Sequence, residues 1–134
     1  MATEAATPTE SAMELFDTTH LMLERAIEGA SARQDALAAN LANVNTPGYQ
    51  RRDVEFQSQL QAALAKDDPR AALERMRPAV AVTEAGGNVQ SDGNGVELDV
   101  ESAKIAENGL LAESLTSVLS ARLAIMRSAI GGAS

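Results

Sequence analysis

The sequence contains no cysteine and no tryptophan, and its only aromatic residues are two Phe and one Tyr. Without cysteine there are no disulfides, thiolate zinc sites, iron–sulfur clusters or cysteine nucleophiles. The single histidine, His20, cannot build a His-rich metal site alone. Much of the usual catalytic inventory is therefore missing, and we expect no metal and no cofactor.

Basic residues are scarce as well: the sequence has 11 Lys and Arg but 19 Asp and Glu, which gives a formal net charge of −8. Phosphate backbones and anionic lipid surfaces attract a basic excess, which makes nucleic acid and membrane surfaces poor candidate partners. Residues 1–10 have no basic start and no apolar run, and no stretch approaches about 18 uninterrupted apolar residues. We expect no cleavable signal peptide and no direct membrane insertion.

A long amphipathic helix is predicted near the N-terminus. Ser11 and Glu14 have the spacing of a capping box, which predicts a helix start near Ser11. The positions that follow recur at steps of four and three, the period of a coiled-coil seam. The seam comprises Phe16, His20, Leu23, Ile27, Ala30, Gln34, Leu37, Leu41 and Val44. A helix over residues 12–43 would be about 48 Å long, more than the roughly 36 Å diameter of a compact chain of this size.

The C-terminal third predicts a second long helix. Asp99 is a candidate N-cap, and Gly131-Gly132 would end the helix. Between Ser114 and Ser134 the only charges are Arg122 and Arg127, so the helix is apolar over much of its circumference. A helix so poor in charge is usually covered by other protein. Gly109, inside this helix, indicates either a close helix approach or a weak point.

The middle of the chain is predicted to be small and irregular. Asn45-Thr46-Pro47-Gly48-Tyr49 predicts a type II turn, with Pro fixing φ and Gly supplying a positive φ. Short helices are predicted over residues 53–65 and from Asp68-Pro69 to residue 76. We expect a strand over residues 79–83 and a glycine-rich loop over 86–95, followed by a second strand or an extended lead-in at Val96, Leu98 and Val100.

The fold class that results is mainly α, with long N- and C-terminal helices forming a coiled-coil hairpin and a small irregular or β-containing middle region. The expected division is a flexible tail over residues 1–10, a discontinuous coiled-coil assembly domain from 11–44 with 99–132, and a middle region over 45–98. The remaining polar residues have structural interpretations. His20 is expected to bond a neighbour, and Arg51-Arg52 to form an ion pair or a solvated turn. Capping or solvated loop charge is expected for Asp67, Asp68, Glu97, Asp99 and Glu101.

The two apolar stripes are wider than one partner helix can cover, which favours packing between molecules over a simple two-helix core. Asn40, Asn43 and Asn45 crowd the end of the first helix, where Asn is suited to bonding exposed backbone groups or a neighbouring chain. The predicted bend is Asn45, Thr46, Pro47, Gly48 and Tyr49. The predicted assembly interface is Leu23, Ile27, Leu37, Asn40, Leu41, Asn43, Val44, Leu111, Leu115, Val118, Leu119, Ile125 and Met126.

The stretch Ala39–Tyr49 (ANLANVNTPGY) resembles the N-terminal signature of the bacterial flagellar axial proteins, the family of rod and hook subunits. Residues 52–56, 103–108 and 123–131 are similar to the proximal rod members of that family. The resemblance implies a non-enzymatic structural subunit of the periplasmic rod of the flagellar basal body, the drive shaft that transmits motor torque. It also implies assembly of the terminal helices with copies of itself and with other rod and basal-body proteins, and export by the flagellar type III apparatus. It implies no small-molecule substrate.

Two alternatives stay open on the residues alone. A cytoplasmic helical adaptor or export chaperone would share the coiled-coil stripes but would not need the Asn45–Tyr49 turn. An enzyme or ligand-binding domain would need a pocket within residues 66–95.

Overall fold

The computed structural model describes residues 7–83 and 91–132. Its elements are helix α1 (Pro8–Ala42), strand β1 (Arg52–Val54), helices α2 (Phe56–Leu64) and α3 (Pro69–Arg75), strand β2 (Val80–Val82) and helix α4 (Leu98–Gly131). The end of α1 contacts the start of α4, and the start of α1 contacts the end of α4, so the two long helices form an antiparallel hairpin. The predicted fold class, mainly α with two long terminal helices and a small middle region, is confirmed.

Helix α1 begins earlier than its sequence pattern predicts. The capping box is formed by Thr7 and Glu10, whose side chains each accept a hydrogen bond from the other residue's backbone N–H, at 3.3 and 3.0 Å. The start predicted near Ser11 is wrong. The pair Thr7 and Glu10 has the same capping-box spacing as Ser11 and Glu14, and Pro8, directly after Thr7, favours the first helical position. The expected tail over residues 1–10 therefore overlaps the helix from Pro8, while residues 1–6 lie outside the described residues.

The sheet and the second helix start also differ from the prediction. The partner of β2 is β1, antiparallel, with Arg52 opposite Val82 and Val54 opposite Val80. The strand predicted at residues 96–100 is wrong, since α4 begins at Leu98 and its N-cap is Glu97 rather than Asp99. Three alternating residues are a weak strand signal, and the acidic residues of this first turn favour a helix N-terminus.

Several short features are confirmed. Gly48 has a φ of 69°, and Tyr49 N donates to Thr46 O at 3.2 Å, which closes the predicted turn. Asp68 caps α3 by accepting from Ala71 N at 3.0 Å.

The helix predicted over residues 53–65 begins at Phe56, because residues 52–54 pair in the sheet. Of the predicted loop over residues 86–95, residues 86–90 lie outside the described part of the chain.

The core lies at one end of the hairpin, where the middle region packs on α1. Phe56 is buried against Gly29, whose missing side chain makes room for the ring. The other buried apolar residues are Leu23, Ala26, Ala30, Ala36, Leu37, Val54, Ala63, Leu73, Met76 and Val96. At the opposite end, none of the described side chains of residues 7–20 and 109–132 is buried. The hairpin therefore has a closed end with a core and an open end without one.

Replacing Gly29 by Ala tests the packing of Phe56. An added Cβ would lie 2.4 Å from Phe56 Cγ, so the ring or the helix must move. We expect the free energy of unfolding, measured by urea denaturation, to fall by roughly 1–3 kcal/mol.

Gly109→Ala is the matched control, because nothing lies within 4 Å of a Cβ at that position. Removing a helical glycine there should raise the free energy of unfolding by about 1 kcal/mol. Of the two interpretations of Gly109, the structure supports the weak point and not the close approach. Equal effects of the two substitutions would contradict the placement of Phe56.

Candidate assembly surface

Asn40 connects the end of α1 to both β1 and α4. Its side chain is fully buried, and Nδ2 donates to Arg52 O at 2.6 Å and to Glu101 Oε2 at 3.1 Å. Its Oδ1 accepts from Arg52 N at 2.9 Å, and Tyr49 OH lies 3.5 Å from the same oxygen. An Asn inside a helix is otherwise unfavourable, so this residue is explained by the backbone and carboxylate that it joins within the chain.

A buried ion-pair network lies beside Asn40. Arg51 Nε donates to Glu101 Oε1, and Arg51 Nη2 donates to Asp53 Oδ2 at 3.0 Å. Arg33 Nε of α1 donates to Asp53 Oδ1 at 2.8 Å. Two guanidinium groups therefore face two carboxylates, and the group is neutral as a whole. We call these residues the polar junction: Arg33, Asn40, Arg51, Asp53 and Glu101.

The polar junction confirms one sequence interpretation and corrects another. Arg51 forms the ion pair that the Arg51-Arg52 sequence predicts, while Arg52 remains exposed. The interpretation of Glu101 as a capping or solvated charge is wrong, because its side chain is fully buried and paired. Nothing in the local sequence distinguishes Glu101 from the exposed acids around it, since its partner lies 50 residues away.

Charge pairing shifts the pKa of two members of the polar junction. For Asp53, burial acts to raise the pKa, but hydrogen bonds from Arg33, Arg51 and the Val54 N–H outweigh it and hold the pKa below its ordinary value. For Arg51, burial acts to lower the pKa, but Glu101 and Asp53 together raise it above its ordinary value. Both groups are therefore charged in the folded protein at neutral pH.

Asn94 closes the C-terminal end of α1, a role that the sequence pattern did not indicate. Its Nδ2 lies within 3.0 Å of three carbonyl oxygens, those of Asn43, Val44 and Thr46. Its Oδ1 accepts from Val96 N at 2.8 Å. These carbonyls belong to the C-cap of α1 and to the residues that follow it, so this amide holds the predicted bend against the end of the helix. Asn94 lies in a glycine-rich loop, and the local sequence there does not indicate contacts with residues about 50 positions away.

A second buried Asn joins the two long helices nearer the middle of the hairpin. Asn108 Nδ2 donates to Ala30 O and to Gln34 Oε1, both at 2.8 Å. With Asn40 and Glu101, this contact fixes the position of α4 along α1 at two points. His20, also on the seam, lies with Nε2 3.3 Å from Glu24 Oε1, so it bonds a neighbour as predicted.

The residues of the predicted interface fall into three groups. The side chains buried within the chain are Leu23, Leu37 and Asn40. The half-buried residues are Ile27, Leu41, Asn43, Val44, Leu111, Leu115 and Leu119. The exposed residues are Val118, Ile125 and Met126. Only the last group and the outer edges of the second are free to meet another molecule, and the interface itself stays a prediction.

The open end of the hairpin is apolar and exposed. We call residues 8–20 of α1 and 110–131 of α4 the distal hairpin. Ile125 is 69% exposed and Ile130 is 78% exposed. Its other large exposed apolar residues are Met13, Phe16, Leu110, Val118, Leu123 and Met126. An 18-residue part of α4 is long enough and poor enough in charge to cross a membrane, by length and composition alone.

Glu101→Gln tests the polar junction. The substitution preserves the shape of the side chain but removes the charge facing Arg51, and a broken buried ion pair typically costs roughly 3–5 kcal/mol. We expect a loss of this size in the free energy of unfolding measured by urea denaturation. Glu107→Gln, on the exposed surface of the same helix, should change it by less than about 0.5 kcal/mol. Similar small changes in both variants would contradict a structural role for the Glu101 charge.

The Asp53 carboxylate predicts a pH dependence. Because its folded pKa lies below the ordinary value of 3.8, its stabilising effect is complete above that value and is lost as the pH falls through the folded pKa. We expect Asp53→Asn to lower stability at pH 7 and to flatten the decline in the free energy of unfolding below about pH 4. Asp35→Asn, on the exposed surface, is the control and should leave that slope unchanged.

Comparison with known proteins agrees with these features. Residues 22–50, which include Asn40 and the bend, match the family model described as flagella basal body rod protein. The chain is 31% identical over 115 residues to the flagellar basal body rod protein FlgB of Escherichia coli (strain K12), covering 75% of this chain and 83% of that protein. It is 30% identical to FlgB of Salmonella typhimurium, covering 81% and 90%, and 25% identical to FlgB of Bacillus subtilis (strain 168), covering 90% and 98%. The chain therefore belongs to the FlgB family of flagellar basal body rod proteins, a family of structural subunits and not of enzymes.

Proposed function

We propose that this rod subunit assembles through its terminal helices, with copies of itself and with other rod and basal-body proteins, into the periplasmic drive shaft that transmits motor torque. The observation that carries the proposal is the distal hairpin, where none of the described side chains is buried although many are large and apolar. Soluble monomers rarely expose a continuous apolar surface of this length. Neighbouring subunits are the partners that would cover it.

The energetics of assembly follow from this surface. Covering one exposed Ile, Leu, Val or Met side chain contributes roughly 1.5–3 kcal/mol. The distal hairpin has eight such side chains if Phe16 is counted with them, so covering all of them would contribute roughly 12–24 kcal/mol toward the cost of ordering the helices. The proposed interface is therefore the exposed subset of the predicted residues, with Ile130, Leu123 and Met13 added.

The closed end has a different role in the proposal. The polar junction joins α1, α4 and β1, so the middle region and the hairpin would turn as one body under torque. We propose that residues 11–44 with 99–132 act as the assembly domain. Residues 45–98 would act as the region that braces its closed end, since Phe56 and Leu73 pack on α1.

Export through the flagellar type III apparatus, without a cleavable signal peptide, is part of the same proposal. It would deliver the chain to the periplasmic rod. We propose no nucleic-acid partner, no small-molecule substrate and no membrane insertion. The acidic face of α1, with Asp17, Glu24 and Glu28 exposed, opposes insertion of the hairpin in lipid.

Ile125→Asp tests the proposed interface in the bacterium that encodes the chain. Ile125 contacts mostly solvent in the single chain, so the variant should fold and accumulate normally. In the assembled rod the buried aspartate would cost at least the roughly 1.5–3 kcal/mol that the Ile contributes. We expect loss of motility in soft agar and absence of rods from isolated basal bodies.

Ser117→Asp is the matched control, because it adds the same charge at an exposed polar position of the same helix. It should retain most of the motility. Cell fractionation distinguishes a rod subunit from the alternative function, because the Ile125→Asp protein of a rod subunit should still leave the cytoplasm. A cytoplasmic adaptor or export chaperone would stay inside the cell, and normal rods with Ile125→Asp would refute the interface.

A further inference from the structure

One side of the distal hairpin contains an apolar groove with an arginine at its edge. The groove has a volume of about 430 Å³ and is lined by Phe16, Val118, Ala121, Arg122, Ile125 and Met126. The Arg122 guanidinium lies 4.7 Å from the centre of the Phe16 ring, and Nη2 donates to Phe16 O at 2.9 Å. Within the described residues, no carboxylate lies within 4 Å of this guanidinium. The groove therefore offers apolar surface and one uncompensated positive charge.

The charges of the distal hairpin are largely segregated by helix. In residues 8–20 the only carboxylates or guanidinium groups are the carboxylates of Glu10, Glu14 and Asp17. In residues 110–131 the charged groups are Arg122, Arg127 and one carboxylate near the start of the segment, Glu113. Met13 lies among the acids of residues 8–20 and is 65% exposed. Glu10 caps the helix, and Asp17 lies 3.1 Å from Arg70 Nη1 in an exposed ion pair, a kind of contact that contributes little net energy. The start of α1 is thus an exposed apolar side chain among acidic residues, which complements an apolar groove with a positive edge.

These two surfaces lie on opposite faces of the hairpin. Each residue advances by about 100° around an α-helix, and the two helices run in opposite directions. On α1, the side chains of Met13 and Asp17 are rotated about the helix axis from that of Phe16, which faces α4, toward one face of the hairpin. On α4, the side chains of Ala121 and Ile125 are rotated from that of Arg122, which faces α1, toward the opposite face of the hairpin. One copy can therefore present its groove to a neighbour while its own Met13 stays exposed on the other face.

We propose that the groove binds the N-terminal part of α1 of a second copy of this chain, with Met13 entering the groove and the adjacent carboxylates facing Arg122. The inference rests on the proposed function and names the partner and the polarity of one of its contacts. Since the two surfaces are different and lie on opposite faces, the contact is heterologous. It repeats from copy to copy in one direction and does not close into a two-fold dimer.

Cross-linking through single cysteines tests the contact, because the natural chain has no cysteine and gives no background. Purified full-length Met13→Cys and Ile125→Cys proteins are oxidised separately and as an equal mixture. We expect disulfide-linked dimers in the mixture at several times the yield of either protein alone. The double variant Met13→Cys/Ile125→Cys should give a ladder of oligomers, and raising the salt concentration should lower both yields.

Gln61→Cys, exposed on α2 away from both surfaces, is the control and should not cross-link with either variant. Val118→Cys, in the same groove, replaces Ile125→Cys if that variant loses its helical circular dichroism. Efficient dimers of Ile125→Cys alone would show a two-fold contact and overturn the proposal.

Two further outcomes separate this proposal from the proposed function. No cross-link between Met13→Cys and Ile125→Cys, with motility still lost in Ile125→Asp, would mean that the groove binds a different rod protein. The proposed function would then stand and this inference would fail. Binding of the purified chain to vesicles of neutral and anionic lipid through the groove, blocked by Ile125→Asp, would identify lipid as the occupant and would also overturn the inference.

Discussion

The buried pairing of Arg51 with Glu101, held beside Asn40, is the interaction on which the rest of the structure depends. It joins the residue just before β1 to the first turn of α4, and Asn40 adds the last turn of α1 to the same contact. Burying two charges contributes little net stability by itself, because desolvation offsets most of their attraction. Its effect is specificity: any arrangement that separates Arg51 from its carboxylates leaves an unpaired charge in the interior, and such arrangements are strongly disfavoured.

The two ends of the hairpin differ in whether their apolar residues are covered by other parts of the chain. At the closed end, small residues such as Ala26, Gly29 and Ala30 let the middle region pack closely on α1, and Phe56 fills the space above Gly29. At the open end, Val118, Ile125 and Ile130 have no such cover. A subunit with its core at one end only is stable enough to hold its shape where the polar junction lies, while the exposed end gains most from neighbours.

Sequence patterns predicted the parts of this fold that depend on local chemistry. The two long helices, the positive φ of Gly48 and the Asp68 cap follow from periodicity, turn residues and capping. The parts that were missed depend on contacts far apart in the sequence. Glu101 looks like any first-turn acid and Asn94 like any loop residue, and each acquires its role from a partner about 50 residues away. The start of α1 was misplaced because Thr7 and Ser11 offer equivalent caps, and only Pro8 distinguishes them.

The same polar contacts explain how a repetitive seam keeps one register. A seam repeating every seven residues could shift by one heptad, about 10 Å along the axis, and still place apolar residues opposite each other. Such a shift would remove Asn108 from the Ala30 carbonyl and Glu101 from Arg51 at the same time. The cost of two unsatisfied buried polar groups and a separated ion pair exceeds what a shifted apolar contact returns. Every copy of the subunit therefore presents its distal hairpin at the same distance from its middle region, which the proposed assembly of identical subunits requires.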